Sequence, residues 1–396
     1  RQMCIRDRLF FIPLITKLPQ GSPTGGPVRA TRVVVVGAGV VGASIARVLS
    51  RYESLEVHLV EKEPDAGWGV TRANTGVIHA GFDDDPDRYP LRARLCARGA
   101  RLWREWAREL DIPASFPGTL VLALADEEVK VLRELRERGV RNGVLGLRVI
   151  EDREAIEALE PNVSDDVVAA LWAPTGGVIN PVEAAVALVE NAVENGVVTY
   201  FSTRVTSVRV EGDRVVGVET DRGFIEADVV VNAAGLHADE ISRSAGAEDF
   251  VLRPRRGEYH VFDERAEPKV TRVLFPVPTP VSKGVAVVTT VEGNLMIGPT
   301  AEDLSPSEKG EGGTTEAGLR AAWEGARRLV KALPPPSAVI RTFAGLRPEP
   351  PHGDFIVRAY DEPWGFVNAA GMRSPGLTAA PAVAHEVARL LESELG

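Results

Sequence analysis

Runs of β-branched apolar residues divide the chain into segments. Residues 33–36 are four consecutive valines, and residues 229–231 are three more. A strand that is buried on both faces needs such a continuous apolar run, which is typical of parallel sheets. Each run leads into small residues that include a glycine, so each strand is predicted to end at a tight turn.

The first run is followed by glycines at the GxGxxG spacing. Gly37 permits a sharp turn, Gly39 lets backbone amides approach a pyrophosphate, and Gly42 lets the next helix pack closely on the strand. A second strand over residues 57–60 ends at Glu61, whose carboxylate can accept hydrogen bonds from both ribose hydroxyls. This order of strand, turn, helix, strand and acid predicts a dinucleotide site. A glycine-rich turn without a ligand would leave the acid unexplained.

Helical periodicity dominates two further segments. Residues 91–110 carry apolar side chains at three- and four-residue intervals, which predicts an amphipathic helix. Residues 180–196 begin with Asn180 as helix cap and Pro181 in the first turn, and end at Gly196, so a second helix is well delimited. The other elements predicted before residue 180 are strands over 119–124 and 167–172 and helices over 126–138 and 152–159.

From residue 197 onwards the pattern changes to strands. A hairpin is predicted around the turn at 211–213, and later strands over 253–263, 271–278 and 284–300. The later strands lack the glycine turns and helices of a parallel sheet, so we predict an antiparallel sheet in a second domain. The predicted division is a tail over 1–30, a dinucleotide domain over 31–81, 181–250 and 345–396, and a substrate domain over 82–180 and 251–344.

The pentapeptide VNAAG occurs twice, at residues 231–235 and 367–371. The second copy precedes a loop rich in proline and glycine and a final helix predicted over residues 379–391. Two strands that end alike suggest that both bring a glycine turn to one ligand. Small residues are also common at strand ends that bind nothing, so the repeat alone leaves both interpretations open.

Composition and charge narrow the classes of function. The chain has 396 residues, with 46 Lys and Arg against 56 Asp and Glu, and a net charge of −10. This acidity argues against nucleic acid or an anionic membrane surface as the main partner. Cys4 and Cys96 are the only cysteines, too few for a disulfide framework or a cysteine-based metal site. We predict no metal and a cytoplasmic protein.

The first thirty residues differ from the rest. Arg1, Arg6 and Arg8 precede an apolar stretch that imitates a signal peptide but is too short to span a bilayer. The letters RQMCIRDR also resemble a translated sequencing adapter. We therefore expect residues 1–30 to be disordered or non-native, and no transmembrane segment is predicted.

Several motifs together resemble one superfamily. They are GAGVVG with Glu61, TRANTGVIHAG, VVVNAAGLHAD, RRGEY, FAGLRPEPPHGDFIV and NAAGMRSPGLTAAPAVA. From about residue 31 onwards the chain resembles the FAD-dependent oxidoreductases of the D-amino-acid-oxidase and glycerol-3-phosphate-dehydrogenase superfamily. ANTGVIHAG is most similar to anaerobic-type glycerol-3-phosphate dehydrogenases and L-2-hydroxyglutarate dehydrogenases. The resemblance implies an α/β fold, with a Rossmann-like FAD-binding domain and an interleaved α+β substrate domain built on an antiparallel sheet.

The resemblance also implies a set of cofactor contacts. A helix that begins near residues 377–379 would aim its positive end at the flavin pyrimidine edge, where charge accumulates on reduction. The residues expected to contact FAD are Gly37, Gly39, Val40, Val41, Gly42, Glu61, Lys62, Thr71, Asn74, Thr75, Gly76, His79, Val205, Ala234, Gly235, Gly345, Arg347, Gly371, Ser374, Gly376, Leu377 and Thr378.

The implied reaction moves a hydride from the hydroxyl-bearing carbon of a small anionic substrate, glycerol 3-phosphate or a 2-hydroxy acid, to flavin N5. Arg347 is the first candidate for the anion, because a guanidinium binds carboxylate or phosphate through two hydrogen bonds. Strand alternation puts Arg256 and Tyr259 on opposite faces, and we favour Tyr259 for the pocket.

Histidines are the natural candidates for the proton acceptor, because their pKa lies near operating pH. His79, His260 and His352 are the candidates whose positions do not indicate a structural role. His79 leads, since its loop should pass the flavin. It could equally be a hydrogen-bonding partner of the cofactor or backbone, and a covalent histidyl–flavin bond is a third role.

Three rival functions stay open at this point. They are an amine or amino-acid oxidase of the same fold, a flavin-binding subunit without catalysis, and an NAD-dependent enzyme. The electron acceptor could be oxygen, a quinone or a partner protein, and a partner at a membrane would make the protein peripheral there.

Overall fold

The computed structural model describes residues 30–248, 250–279, 283–310 and 312–395. The predicted tail therefore lies outside the described residues, except for Ala30. The helices are α1 (Val40–Leu49), α2 (Pro90–Glu109), α3 (Val129–Arg141), α4 (Arg153–Leu159), α5 (Pro181–Glu194), α6 (Ala238–Ser244), α7 (Glu316–Arg327) and α8 (Gly376–Leu395).

The strands run through the whole described chain. They are β1 (Thr31–Val36), β2 (Leu55–Val60), β3 (Val77–Ile78), β4 (Ala114–Ser115), β5 (Thr119–Ala123), β6 (Arg148–Ile150), β7 (Ala169–Ala173), β8 (Gly177–Ile179), β9 (Val198–Tyr200), β10 (Val205–Glu211), β11 (Arg214–Thr220), β12 (Gly223–Glu226), β13 (Val229–Asn232), β14 (Arg253–Phe262), β15 (Val273–Pro276), β16 (Ala286–Thr289), β17 (Leu295–Gly298), β18 (Glu302–Asp303), β19 (Val339–Glu349), β20 (Ile356–Tyr360) and β21 (Phe366–Ala370).

The two valine runs lie side by side in a six-stranded sheet of order β20–β21–β13–β1–β2–β9. Its joins are parallel except that between β20 and β21. Val33 pairs with Val229 in register. Val33 faces the core under α1 and α8, whereas Val34 faces the small sheet β10–β11–β12, so alternate valines serve two different cores. Burial on both faces explains why the run is continuous.

Four helices cover one face of this sheet, and glycines set how closely they approach. A Cβ on Gly42 would lie 1.8 Å from the Gly37 carbonyl oxygen, so α1 can pack on β1 only with glycine there. A Cβ on Gly99 would lie 2.0 Å from the Thr378 carbonyl oxygen, which brings α2 against α8. Although residues 82–180 were assigned to the substrate domain, α2 therefore packs in the core of the dinucleotide-binding unit, with Trp103 buried there.

A second, nine-stranded sheet forms the other unit, in the order β18–β14–β17–β16–β15–β5–β7–β6 with β19 alongside β14. Its joins are antiparallel except for β5 with β15, which are parallel. The expected antiparallel sheet thus contains one parallel pair, because these two strands come from separate segments of the chain. β19 pairs with β14 along its whole length, from Arg253 opposite Glu349 to Phe262 opposite Val339.

The predicted hairpin at residues 211–213 is confirmed, with Glu211 of β10 opposite Arg214 of β11. The predicted cap of α5 is also confirmed, because Asn180 Oδ1 accepts hydrogen bonds of 3.0 Å from the amides of Val182 and Glu183. Within the described ranges, none of the helices combines the length and apolar character needed to span a bilayer.

Candidate functional site

A cavity of about 890 Å³ lies where the parallel strands of the first sheet meet the second sheet. The loops that follow β1, β2 and β13 form one end, and β14, β19 and the start of α8 form the other. The sequence-predicted site residues that line it are Gly37, Gly39, Val40, Val41, Glu61, Lys62, Thr71, Asn74, Thr75, His79, Val205, Ala234, Gly235, Tyr259, Gly345, Arg347, Ser374, Gly376, Leu377 and Thr378.

At one end of the cavity, Glu61 is held by the backbone around it. Its two carboxylate oxygens accept hydrogen bonds from the amide of Ala38, at 2.7 Å, and the amide of Glu63, at 2.9 Å. Gly37 has φ +101°, and an added Cβ would lie 2.6 Å from the Ala233 carbonyl oxygen. The first turn thus requires glycine, and the fixed carboxylate has the position and chemistry of a ribose-binding group.

The start of α1 offers an anion site in the middle of the cavity. Gly39, Val40 and Val41 line the cavity there, and Gly39 gives the helix no side-chain cap. Thr71 Oγ1 accepts the Val40 amide at 3.0 Å, so the glycine-rich loop is tied to this helix end. The positive end of an uncapped helix is suited to a pyrophosphate.

A second helix start lies at the far end of the cavity. Gly376, Leu377 and Thr378 form the first turn of α8 and line the cavity. The Leu377 carbonyl accepts a 2.8 Å hydrogen bond from Trp103 Nε1, which fixes the turn against α2. The observed start at Gly376 agrees with the helix start expected near residues 377–379.

His79 is fixed beside this helix start by contacts on three sides. Its amide donates to Thr378 Oγ1 at 2.9 Å, and its ring stacks on Phe275 with centroids 5.6 Å apart. Nδ1 lies 3.2 Å from Asp83 Oδ2, and Nε2 lies 3.4 Å from Ser374 Oγ. Burial, together with a nearby ammonium group, lowers the pKa of His79, while the carboxylate opposes that shift. The imidazole is therefore neutral at neutral pH.

Arg347 and Tyr259 lie on the neighbouring strands β19 and β14. Arg347 Nη2 donates to the Thr300 carbonyl at 2.5 Å, while its buried Nε has no partner among the described residues. Gly257 makes room for this guanidinium, since a Cβ there would lie 2.9 Å from Nη2. Tyr259 stacks on Phe343 with centroids 4.5 Å apart, and burial raises the pKa of its phenol.

His260 does not belong to the site. It lies on the opposite side of β14 from Tyr259, and its Nε2 is 2.9 Å from the Leu319 carbonyl of α7. Its ring packs edge-on against Trp323. The proposal of His260 as a proton acceptor is therefore wrong, for the same reason of strand alternation that favoured Tyr259. Arg256 likewise points away and pairs with Glu302.

Three predicted cofactor glycines serve the backbone and do not line the cavity. Gly42 permits helix packing, as described above. Gly76 has φ +66°, and an added Cβ would lie 2.3 Å from the Ile179 carbonyl oxygen. Gly371 has φ +67° and faces Pro350, so the turn after the second VNAAG brings the next residues to the cavity instead. These residues are Met372 and Arg373.

Sequence reasoning missed a lysine and an aromatic ring of this site, while Arg373 begins the loop predicted to reach the flavin pyrimidine edge. Lys283 Nζ lies 3.2 Å from Asp83 Oδ2, and Arg373 Nη1 lies 2.6 Å from Glu349 Oε2. Burial lowers the pKa of Arg373 to about 10. Phe275 stacks on His79. No motif marks Lys283.

Residues 32–390 match the family model described as FAD-dependent oxidoreductase, DAO. The chain belongs to the DAO family of FAD-dependent oxidoreductases. It is 43% identical to a glycerol 3-phosphate dehydrogenase of Caloramator mitchellensis, over 91% of this chain and 74% of the relative. It is 32% identical to the mitochondrial L-2-hydroxyglutarate dehydrogenase of Homo sapiens, over 68% of this chain and 60% of the relative.

Among solved structures, this DAO-family protein is similar to the dithionite-reduced L-alpha-glycerophosphate oxidase of Mycoplasma pneumoniae with FAD bound. The TM-score is 0.83 at 32% identity, with 91% of this chain and 94% of that chain covered. These matches confirm the predicted α/β fold, the FAD cofactor and an oxidoreductase activity.

The residues present fit FAD. The glycine turn at Gly37 and the carboxylate of Glu61 suit the ADP half, and α1 presents an uncapped N-terminus to the pyrophosphate. The N-terminus of α8 and His79 lie at the other end, where the isoalloxazine would be held.

Proposed function

We propose that this enzyme oxidises the secondary alcohol of glycerol 3-phosphate. The observation that carries the proposal is the pairing of cations with a neutral base at one end of the cavity. Arg347, Lys283 and His79 all line this cavity, and Lys283 Nζ and His79 Nδ1 both lie 3.2 Å from the same oxygen of Asp83. A dianionic phosphate needs more than one positive partner, while the alcohol needs a group that can take its proton.

Arg347 is the main phosphate ligand in this proposal. Arg347 lines the cavity beside Tyr259, and since Nη2 is already bonded to the Thr300 carbonyl, Nη1 is the nitrogen proposed to bind an oxyanion. No described carboxylate forms an ion pair with Arg347, so its charge is not already neutralised at close range. A guanidinium binds phosphate through two hydrogen bonds, and Lys283 would add a point charge.

His79 is the proton acceptor in this proposal. Because its imidazole is neutral and buried, Nε2 can accept the hydroxyl proton as the carbon–hydrogen bond breaks. When bound, FAD supplies the hydride acceptor, flavin N5. Phe275 and the first turn of α8 hold the imidazole in place and keep water from its buried face.

The sequence similarities support glycerol 3-phosphate over the other substrates, and the human relative makes L-2-hydroxyglutarate the second candidate. That diacid also carries two negative charges, but they lie on two separate carboxylates, one of them attached to the alcohol carbon itself, whereas glycerol 3-phosphate concentrates its charge on one phosphate. Amine oxidation is the third candidate. Binding an amine substrate would not require the phosphate-binding cations, so their presence would be left unexplained.

The test is an anaerobic flavin-reduction experiment. FAD-loaded protein is mixed with glycerol 3-phosphate, L-2-hydroxyglutarate, sarcosine, glycine or proline, and bleaching of the flavin absorbance is followed. We expect fast bleaching with glycerol 3-phosphate. Faster bleaching with an amine would refute the proposal, and bleaching by none of the five would favour a flavin-binding subunit. Reoxidation of the bleached protein with oxygen or a soluble quinone then identifies the class of electron acceptor.

A further inference from the structure

The loop that follows His79 folds back on itself, so that the carboxylate of Asp83 lies beside the His79 imidazole. Gly81 has φ +101°, and an added Cβ would lie 2.8 Å from Ala97 Cα, so the chain turns tightly against α2. Helix α3 holds the turn from the other side. Asn142 Nδ2 donates to the carbonyls of Gly81 and Asp84, both at 2.9 Å, and Arg138 donates to the Asp83 carbonyl at 2.8 Å.

Asp83 is shared between two groups of the site. Its Oδ2 lies 3.2 Å from His79 Nδ1 and 3.2 Å from Lys283 Nζ, at angles outside those of ideal hydrogen bonds. The side chains of His79, Asp83 and Lys283 are only 11%, 13% and 20% exposed. Two ionisable groups, His79 and Lys283, thus share one oxygen atom of a third, Asp83, and all three are largely buried at the wall of the cavity.

The charges of this cluster are mutually dependent. Burial would raise the pKa of Asp83, but Lys283 and His79 hold it well below the usual range, so the group is a carboxylate. A carboxylate accepts hydrogen bonds only, so the imidazole nitrogen that faces it must carry the proton. His79 is therefore protonated on Nδ1, and its Nε2 presents a lone pair towards Ser374 and the cavity.

We propose that Asp83 is a positioning residue that holds His79 in the tautomer able to accept the substrate proton and anchors Lys283 at the same wall. The proposal rests on the proposed function only for the identity of the substrate. When Nε2 takes the hydroxyl proton, His79 becomes an imidazolium beside Lys283. The carboxylate between the two cations then offsets their repulsion.

The variant Asp83→Asn tests this role, because it keeps the shape and removes the charge. Its matched control is Asp87→Asn on the same loop, where the carboxylate is exposed and pairs with Arg141. We expect the rate constant of flavin reduction to fall about 100-fold or more in Asp83→Asn. Substrate affinity should change by less than about threefold, because Arg347 is untouched, and Asp83→Glu should restore part of the rate.

The pH profile separates positioning from a general structural role. The charged groups that act on His79 are Asp83, Asp84 and Lys283, and Arg138 contacts the Asp83 carbonyl. Since Asp83 raises the pKa of His79, its loss should shift the acid limb of the reduction rate to lower pH. The control variant should keep the wild-type profile. A rate within about threefold of wild type with an unchanged profile in Asp83→Asn would overturn the proposal.

A nitrogen-15 spectrum of histidine-labelled wild-type protein tests the tautomer directly, without turnover. The His79 signals are assigned by their loss in His79→Asn, and we expect the proton on Nδ1. A proton on Nε2 would overturn the proposal even if glycerol 3-phosphate proves to be the substrate. Conversely, a protein that glycerol 3-phosphate does not reduce would refute the proposed function and leave this spectrum as the test. Because the spectrum uses wild-type protein, misfolding of Asp83→Asn would not prevent it.

Discussion

Asn232 Nδ2 donates a 2.8 Å hydrogen bond to Asn368 Oδ1, and this bond joins the two VNAAG segments across the centre of the first sheet. The two asparagines are register partners on β13 and β21 and are completely buried. Asn368 Nδ2 in turn donates to the hydroxyls of Ser242 and Tyr360, both at 3.0 Å. The repeat is thus explained first by a shared polar network, and only its first copy ends in residues that line the cavity.

Removing one member of this network should destabilise the protein. Asn368→Ala removes three buried hydrogen bonds, one from the Asn232 amide and two to the hydroxyls of Ser242 and Tyr360, so we expect a loss of about 2–4 kcal/mol in the free energy of unfolding. Urea denaturation monitored by circular dichroism measures it. The exposed Asn195→Ala should stay within about 0.5 kcal/mol of wild type. An equal loss in both variants would contradict the assignment of the network.

Substituting Arg347 should weaken substrate binding. Arg347→Met removes the charge-assisted hydrogen bonds proposed for the phosphate, so we expect the dissociation constant of glycerol 3-phosphate to rise about 100-fold. Flavin content is measured in the same samples, because Arg347 is also among the residues expected to contact FAD. Titration of the flavin spectrum with substrate measures the constant. Arg341→Met, exposed on the same strand, is the control, and an equal rise there would argue against a specific contact.

Gly257 should be intolerant of even one methyl group. In Gly257→Ala the new Cβ would lie 2.9 Å from Arg347 Nη2 and 2.7 Å from Pro299 Cβ, so the guanidinium must move. We expect about a tenfold loss of kcat/KM for glycerol 3-phosphate at unchanged flavin content. Gly313→Ala, where nothing lies within 4 Å, should behave as wild type. Unaltered kinetics in Gly257→Ala would show that the guanidinium position does not matter.

Glu61 should control the affinity for FAD. Glu61→Gln places an amide nitrogen against one of two backbone donors, Ala38 or Glu63, and weakens the contact proposed for the ribose. We expect the dissociation constant of FAD to rise about 10- to 100-fold. Equilibrium dialysis of the apoprotein gives this value. Glu53→Gln, on the exposed loop before β2, serves for comparison and should bind FAD as tightly as wild type.

His385 should make stability depend on pH. Burial against Trp106, with nearby Arg98, Arg51 and Arg47, lowers the pKa of His385 to about 4 from an ordinary value of 6.5. Between these two pKa values, His385 is therefore protonated in the unfolded chain and neutral in the folded chain. The free energy of unfolding therefore carries no penalty from His385 above about pH 6.5, and it decreases as the pH falls towards 4.

The variant His385→Gln should remove this dependence. We expect its loss of unfolding free energy between pH 7 and pH 4.5 to be smaller than that of wild type by about 1 kcal/mol, after allowance for partial exposure. Urea denaturation at both pH values measures the difference. Near pH 8 the free energy of unfolding should change with pH equally in the two proteins. A parallel decline in acid would assign the effect to other groups, including the buried His79.

Local pattern predicted much of the fold. The valine run before Gly37, the glycine spacing and Glu61 placed the first β–α–β unit, because burial on both faces and a tight turn each demand particular residues. The helix cap at Asn180 and the amphipathic helix α2 were also predicted from the local sequence. The location of α2 could not be predicted in this way. Its apolar face indicates that the helix is buried, but it does not indicate which of the two units covers it.

The candidate site was only partly readable for a similar reason. Strand alternation correctly predicted that Tyr259 and Arg256 lie on opposite faces of β14. The same alternation places His260 on the face away from Tyr259, where it contacts α7. Lys283 lies in a segment without a motif, and only folding brings it to Asp83.

The sequence by itself determined the glycine turn and the family, and it indicated the arginine proposed to bind the anion, because each depends on residues close together in the chain or on recognisable motifs. Only the tertiary structure decided which charged groups surround His79. Asp83 and Lys283 are 200 residues apart and meet through the packing of two units, so their contact, and the tautomer proposed for His79, could not be deduced from local pattern.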